Sequence, residues 1–188
     1  MEIQPQHLTF ADLISKRLFV VPKYQRAYSW RRKQRENLFE DIRHLKTRSD
    51  SHFMATLVGL RRTSQTIHTD VYKVLDVVDG QQRITTLVVL LKALQKNLSS
   101  APEVMMDLAK ELQDIVVKRD EVSLILLRVN HDSSGHFENY LRKGNIAEKK
   151  SASSTSDYEL LSAMEECEEF VREWDNPIDL LAIVKNLN

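Results

Sequence analysis

The stretch Val77-Val78-Asp79-Gly80-Gln81-Gln82-Arg83-Ile84-Thr85-Thr86-Leu87 decides how this chain is read. The apolar run ahead of it, Tyr72, Val74, Leu75, Val77 and Val78, predicts a buried strand. Behind it, Ile84, Leu87, Val88, Leu91, Leu94 and Leu98 recur at helical spacing and predict a strongly apolar helix. One acid, one glycine, two amides and one arginine fill the turn between them. A strand-to-helix turn of this kind suits a phosphorylated ligand. The first backbone N–H groups of a helix lack internal partners, and its dipole is positive at that end. The chain has only four glycines, which sets Gly80 apart from the background.

The same residues also read as a simple cap. With Asp79 as N-cap and Gln82 at N3, the turn is a D-x-x-Q variant of the capping box. That accounts for Asp79, Gln82 and Gly80, and leaves Gln81, Arg83 and the Thr85-Thr86 pair without a role. As a ligand site the turn needs positive charge, because Asp79 repels phosphate. Arg83 supplies one guanidinium suited to bidentate phosphate contact. A bound Mg2+ would turn Asp79 from a liability into a metal ligand. The chain contains no G-x-x-x-x-G-K-[ST], so this is not a P-loop.

Upstream lies a second dense block, Val21-Pro22-Lys23-Tyr24-Gln25-Arg26-Ala27-Tyr28-Ser29-Trp30. Tyr24, Tyr28 and Trp30 read as anchors that pin this loop to the core. Lys23, Gln25 and Arg26 are not needed for anchoring. Arg26 can add the second positive charge, and Gln25 can read a base or sugar edge. The basic run at Arg31, Arg32 and Arg35 reads either as a solvated helix start or as a contact to nucleic acid. Cations are mildly unfavourable at a helix N-terminus, which favours an anionic partner.

Further out, the pattern predicts an α/β (α+β) fold. A small mixed sheet, with strands at 19–21, 53–62, 72–79 and 124–129, is surrounded by helices. The polar stretch 63–70 suits a long hairpin connection between the second and third strands. The serine-rich segment 144–156 reads as a linker, dividing a domain over 1–143 from a helical extension over 157–188. The apolar face at 183–187 still runs where the sequence stops. That predicts a longer, truncated helical region and missing packing partners, and is consistent with a homo-oligomer.

The 27 basic and 27 acidic residues balance, which argues against a chain devoted to coating nucleic acid but allows a local basic patch over 16–48. The single cysteine, Cys167, permits no internal disulfide and points to a cytoplasmic setting. It reads as a small core residue and not as a nucleophile. No apolar stretch is long enough to span a membrane, and there is no signal peptide. His131 and His136 flank Asp132, but their spacing does not set them on one helical face, and a surface loop is the better reading.

The two motifs in this order, V-P-x-Y-Q-R-x-Y-x-W and then V-D-G-Q-Q-R-x-T-T-L, resemble the N-terminal domain of GmrSD-type modification-dependent restriction enzymes, within the wider ParB/sulfiredoxin-like group. The resemblance covers roughly residues 8–142. Leu127-Arg128-Val129 followed by Asp132 and Phe137 is similar to a later strand-helix unit of that family. It implies a nucleoside triphosphate site, with GTP or ATP bound and hydrolysed in a Mg2+-dependent manner, that controls a DNA-cleaving module in defence against phage. Carried over position by position, it places Asp79, Gln81, Gln82 and Arg83 in catalysis. Lys23, Gln25, Arg26, Gly80, Thr85 and Thr86 are placed in nucleotide binding, and Asp79 on Mg2+. The chain shows no HNH-type His/Asn array, so nuclease activity is not expected of it alone and DNA cleavage would need a partner module. The alternative is a DNA-recognition module without nucleotide hydrolysis, with the basic 16–48 region as its face.

Overall fold

The computed structural model describes residues 5–46, 56–67, 69–100, 105–117, 126–129 and 134–187. A mixed sheet carries the strands β1 (Arg17–Val21), β2 (Val58–Arg61), β3 (Gln65–Ile67), β4 (Asp70–Asp79) and β5 (Leu127–Val129). The helices are α1 (Phe10–Ile14), α2 (Arg32–Leu45), α3 (Gln81–Ser99), α4 (Met106–Val116), α5 (Ser134–Lys143), α6 (Thr155–Arg172) and α7 (Pro177–Lys185). The mixed α/β architecture agrees with the sequence pattern.

The strand order is β2-β4-β1-β5, with β3 folded back onto β4. β1 sits between two parallel neighbours, β4 and β5, while β2 and β3 run antiparallel to β4. The expected hairpin is therefore present, but its polar connection contains a strand of its own. Gln65 to Ile67 pairs with Asp70 to Tyr72, so backbone hydrogen bonding, not side-chain hydrophobicity, orders that stretch. The second strand is shorter than the pattern implies, beginning at Val58; residues 53–55 and 124–125 lie outside the described residues, as do His131 and Asp132.

Helix α3 organises the packing. Val88, Val89, Leu90, Leu91, Leu94 and Leu98 are all fully buried, so apolar residues on every side of this helix meet another element. The helices α4, α5, α6 and α7 pack against it. A helix buried all round reads as a nearly continuous apolar run, as this one does.

The C-terminal helices belong to the same core. Buried apolar residues form one cluster from Phe10 to Leu187. Phe170 on α6 stacks on Phe39 of α2 with centroids 4.4 Å apart, and Trp174 meets Phe170 edge-on. The boundary expected at 143/144 thus separates no second core. The segment after it is held to the body. Gly144 takes a left-handed φ of 73°, its carbonyl accepts a hydrogen bond from Lys96 at 2.7 Å, and Lys96 also pairs with Glu168. Nor is the apolar end left open. Leu180, Leu181, Val184 and Leu187 are buried, and the Leu187 carbonyl accepts from the Phe10 N–H. The chain's own α1, α2 and α3 pack against α7.

Candidate functional site

Because β1, β4 and β5 are parallel, their C-terminal ends lie on one edge of the sheet. In open α/β sheets this edge is where ligands bind. β1 leaves it through the Pro22–Trp30 loop, and β4 leaves it through Gly80 into α3. The two motifs singled out in the sequence therefore meet in space.

Gly80, not Asp79, is the N-cap of α3, and it has φ +85°. An L side chain is strained there. A Cβ at this position would also lie 2.9 Å from Leu57 Cδ1 and 3.0 Å from the Thr56 carbonyl oxygen. The capping box is thus not formed. Asp79 is exposed, and its Oδ1 accepts the N–H of Gly80 at 2.8 Å. The first helical bond runs from the Ile84 N–H to the Gly80 carbonyl. The N–H groups of Gln81, Gln82 and Arg83 precede it and have no acceptor within the helix.

The amides bind the two motifs to each other. Gln82 Oε1 accepts from the Ser29 N–H at 2.8 Å and from the Trp30 N–H at 3.4 Å, and its Nε2 donates to the Ala27 carbonyl. Gln81 Nε2 donates to the Arg26 carbonyl at 2.9 Å. In the other direction, Gln25 Nε2 donates to the Val78 carbonyl at 2.8 Å. The structure thus brings Gln25, Gln81 and Gln82 together with the loop backbone. Gln25 and Gln82 hold the loop in place instead of standing open to a ligand.

The threonines are likewise engaged. Thr85 and Thr86 hydroxyls donate to the carbonyls of Gln81 and Gln82 one turn back. The Thr86 hydroxyl also meets the Tyr28 hydroxyl at 2.8 Å. Burial pushes the Tyr28 phenol far above its ordinary range, so it stays neutral. Trp30 and Tyr28 anchor the loop as expected. Tyr24 does not; it is 72 % exposed. Burial also raises the Cys167 thiol, which agrees with a core role for that residue.

What stays free is cationic. Arg83 lies half-buried with its guanidinium over the Trp30 ring, and its Nε is buried without a hydrogen-bond partner. Among the described residues it makes no ion pair, and neither do the exposed Lys23 and Arg26. Arg83 and Gly80 border an apolar cavity shared with Leu57, Ile84 and Leu187. Arg26 borders a smaller one with Gln81, Gln82 and Thr85. The two cations therefore flank the helix end from different sides.

Arg35 is not part of a nucleic-acid face. Its side chain is 1 % exposed, bidentate to Glu166 at 2.7 Å through Nε and Nη2, and paired with Glu159 at 3.0 Å through Nη1. Nη1 also donates to the Trp30 carbonyl. Arg31 and Arg32 remain exposed, Arg32 beside Glu36. The acidic face of α6 is correspondingly less solvated than its composition implies, since Glu166 and Glu168 pair with Arg35 and Lys96.

A second ion pair had no counterpart in the sequence reading. Arg62, the residue after β2, pairs with Asp76 on β4, which is nearly buried. Its signal was an acid inside the apolar run from Val74 to Val78. Among the described residues no group of three or more His, Cys, Asp or Glu side chains converges to hold a metal, and no helix is long and apolar enough to cross a membrane.

Comparison with curated proteins gives no match. The family model described as the N-terminal domain of the GmrSD restriction endonuclease matches residues 10–187, which takes in both motifs and also the C-terminal helices α6 and α7. The chain therefore belongs to the family of GmrSD restriction endonuclease N-terminal domains, part of a DNA restriction system.

Proposed function

We propose that this domain binds a nucleoside triphosphate at the N-terminus of α3 and hydrolyses it, as the regulatory part of a phage-defence, modification-dependent restriction system whose DNA cleavage resides in a separate nuclease module. The observation that carries the reading is Arg83. Among the described residues, a half-buried guanidinium with an unpartnered Nε beside three helical N–H groups that have no acceptor within the helix suits an anion. Gly80 gives the turn its left-handed start of α3, where any Cβ would meet Thr56 and Leu57. Arg26 adds charge from the facing loop, and Gln82 and Gln25 are positioning residues that fix that loop.

Asp79 is the residue that would hold Mg2+. One exposed carboxylate with one oxygen still unengaged fits a cation that takes its other ligands from phosphates and water, and does not fit an all-protein site. Bound there, Mg2+ would neutralise phosphate charge. GTP and ATP are both compatible with the site.

Calorimetric titration of GTP, ATP, CTP and UTP in the presence of Mg2+, beside an Arg83→Ala control, tests the proposal. Loss of one charge-assisted contact costs about 1.5–3 kcal/mol, so affinity is expected to fall about tenfold or more. Unchanged affinity in a folded Arg83→Ala protein would overturn the assignment.

A further inference from the structure

Gln81 is 7 % exposed and its Nε2 is bound to the Arg26 carbonyl, yet its Oε1 is buried with no partner. It borders the small cavity where β1 and β5 end at Val21 and Val129, with Arg26 and Thr85 as polar neighbours. A buried acceptor left empty is costly, and it asks for a donor. The oxygens of a triphosphate carry almost no hydrogens at neutral pH, so phosphate is not what completes Gln81. Gln81 and Arg83 are two positions apart on a helix, about 200° around its axis, and project to opposite sides. In agreement, Arg83 borders the other cavity. One side of the helix end therefore carries the Arg83 donor, and the other carries the Gln81 acceptor beside the Arg26 cation. The cavity at Gln81 has a volume of about 10 Å3, room for one donor group such as a hydroxyl or for one water.

We infer that Gln81 Oε1 accepts a hydrogen bond from a ribose hydroxyl of the bound nucleotide, so that the domain selects ribonucleotides over deoxyribonucleotides. The inference rests on the nucleotide reading of the same site and adds its sugar specificity. Sites built to hydrogen-bond a substrate hydroxyl discriminate strongly against analogues that lack it.

The experiment measures affinity for a ribonucleoside triphosphate and for its 2′-deoxy and 3′-deoxy forms, each with Mg2+, on the whole chain. Wild type is expected to bind one of the deoxy forms at least tenfold more weakly than the ribonucleotide. Gln81→Met should bring that ratio to within about twofold. Circular dichroism checks that Gln81→Met folds. Arg83→Ala should weaken all three ligands alike and leave the ratio unchanged. Equal wild-type affinity for all three ligands would overturn the inference, because the occupant of the cavity is then a structural water, and would leave the nucleotide site standing. Failure of folded wild type to bind any of them would overturn the nucleotide reading itself, and the sugar assignment with it.

Discussion

Arg35 and Arg83 are both removed from bulk solvent, and the fold treats them in opposite ways. Arg35, in the seam between α2 and α6, has every guanidinium nitrogen matched to a carboxylate or a carbonyl. Arg83, at the start of α3, leans on an aromatic ring and leaves its buried Nε unmatched. Burying a charge is tolerable only with partners, so the first arrangement is what stability alone demands. The second is incomplete by the same standard. The two are also linked. Arg35 holds the Trp30 carbonyl, and the Trp30 N–H faces Gln82 in the first turn of α3. A saturated structural cation thus braces the loop that faces an unsaturated one.

If the comparison is right, stability and binding should separate between the two regions. Arg35→Ala should have the largest effect, a loss of about 3–5 kcal/mol in denaturant unfolding, because Glu166 would be left without its partner in a half-buried seam. A small loss would mean that the seam is wetter than its geometry implies. Gly80→Ala should come next, at about 2 kcal/mol, from the left-handed φ and the contact with Leu57, and should weaken nucleotide binding as well.

Lys92 sharpens the contrast from a third direction. It is 3 % exposed, and among the described residues its Nζ donates only to the neutral amides of Gln95 and Gln113. Burial, aided by the nearby charge of Lys96, lowers it from 10.5 to about 8. Between these values the unfolded chain holds a proton that the folded one has released, so stability rises with pH across that window and is flat below it. Unfolding free energies measured at pH 8 and pH 9 should differ by about 1 kcal/mol more in wild type than in Lys92→Met. A pH-independent difference between the two proteins would show the amine to be solvated. The smallest stability effect is expected from Arg83→Ala, within about 0.5 kcal/mol of wild type by the same unfolding assay. A large destabilisation would make Arg83 a structural residue and weaken the case for an anion site.

Much of this was legible in residue order. The period of the apolar residues from Ile84 to Leu98 defined α3, and the two polar motifs marked the strand ends that meet at the site. Even the burial of Arg35 carried a signal, since it lies three, four and seven positions before Leu38, Phe39 and Ile42, on their face. The basic run around it drew attention to charge and away from periodicity. Other features had no local signal. Whether Asp79 or Gly80 caps α3 depends on a backbone angle that D-G-Q-Q does not reveal. The bonds of Gln25 and Gln82 to backbone groups more than fifty residues away are set by tertiary approach alone. Serine-rich composition at 144–156 describes solubility, and could not show that Lys96 would clamp Gly144 to the body.

The central position of β1 has a consequence for how the domain assembles. Its two partners, β4 and β5, begin more than fifty and more than a hundred residues downstream. Neither pairing is a hairpin, so each must close a long loop before any strand bond repays that entropy. The β3–β4 hairpin and α3 need only near neighbours and can form early. On a ribosome, the first strand made would wait for almost the last to be synthesised. The edge on which the candidate site stands therefore depends on a strand made late, and the helices α5, α6 and α7 that complete the core around α3 follow later still.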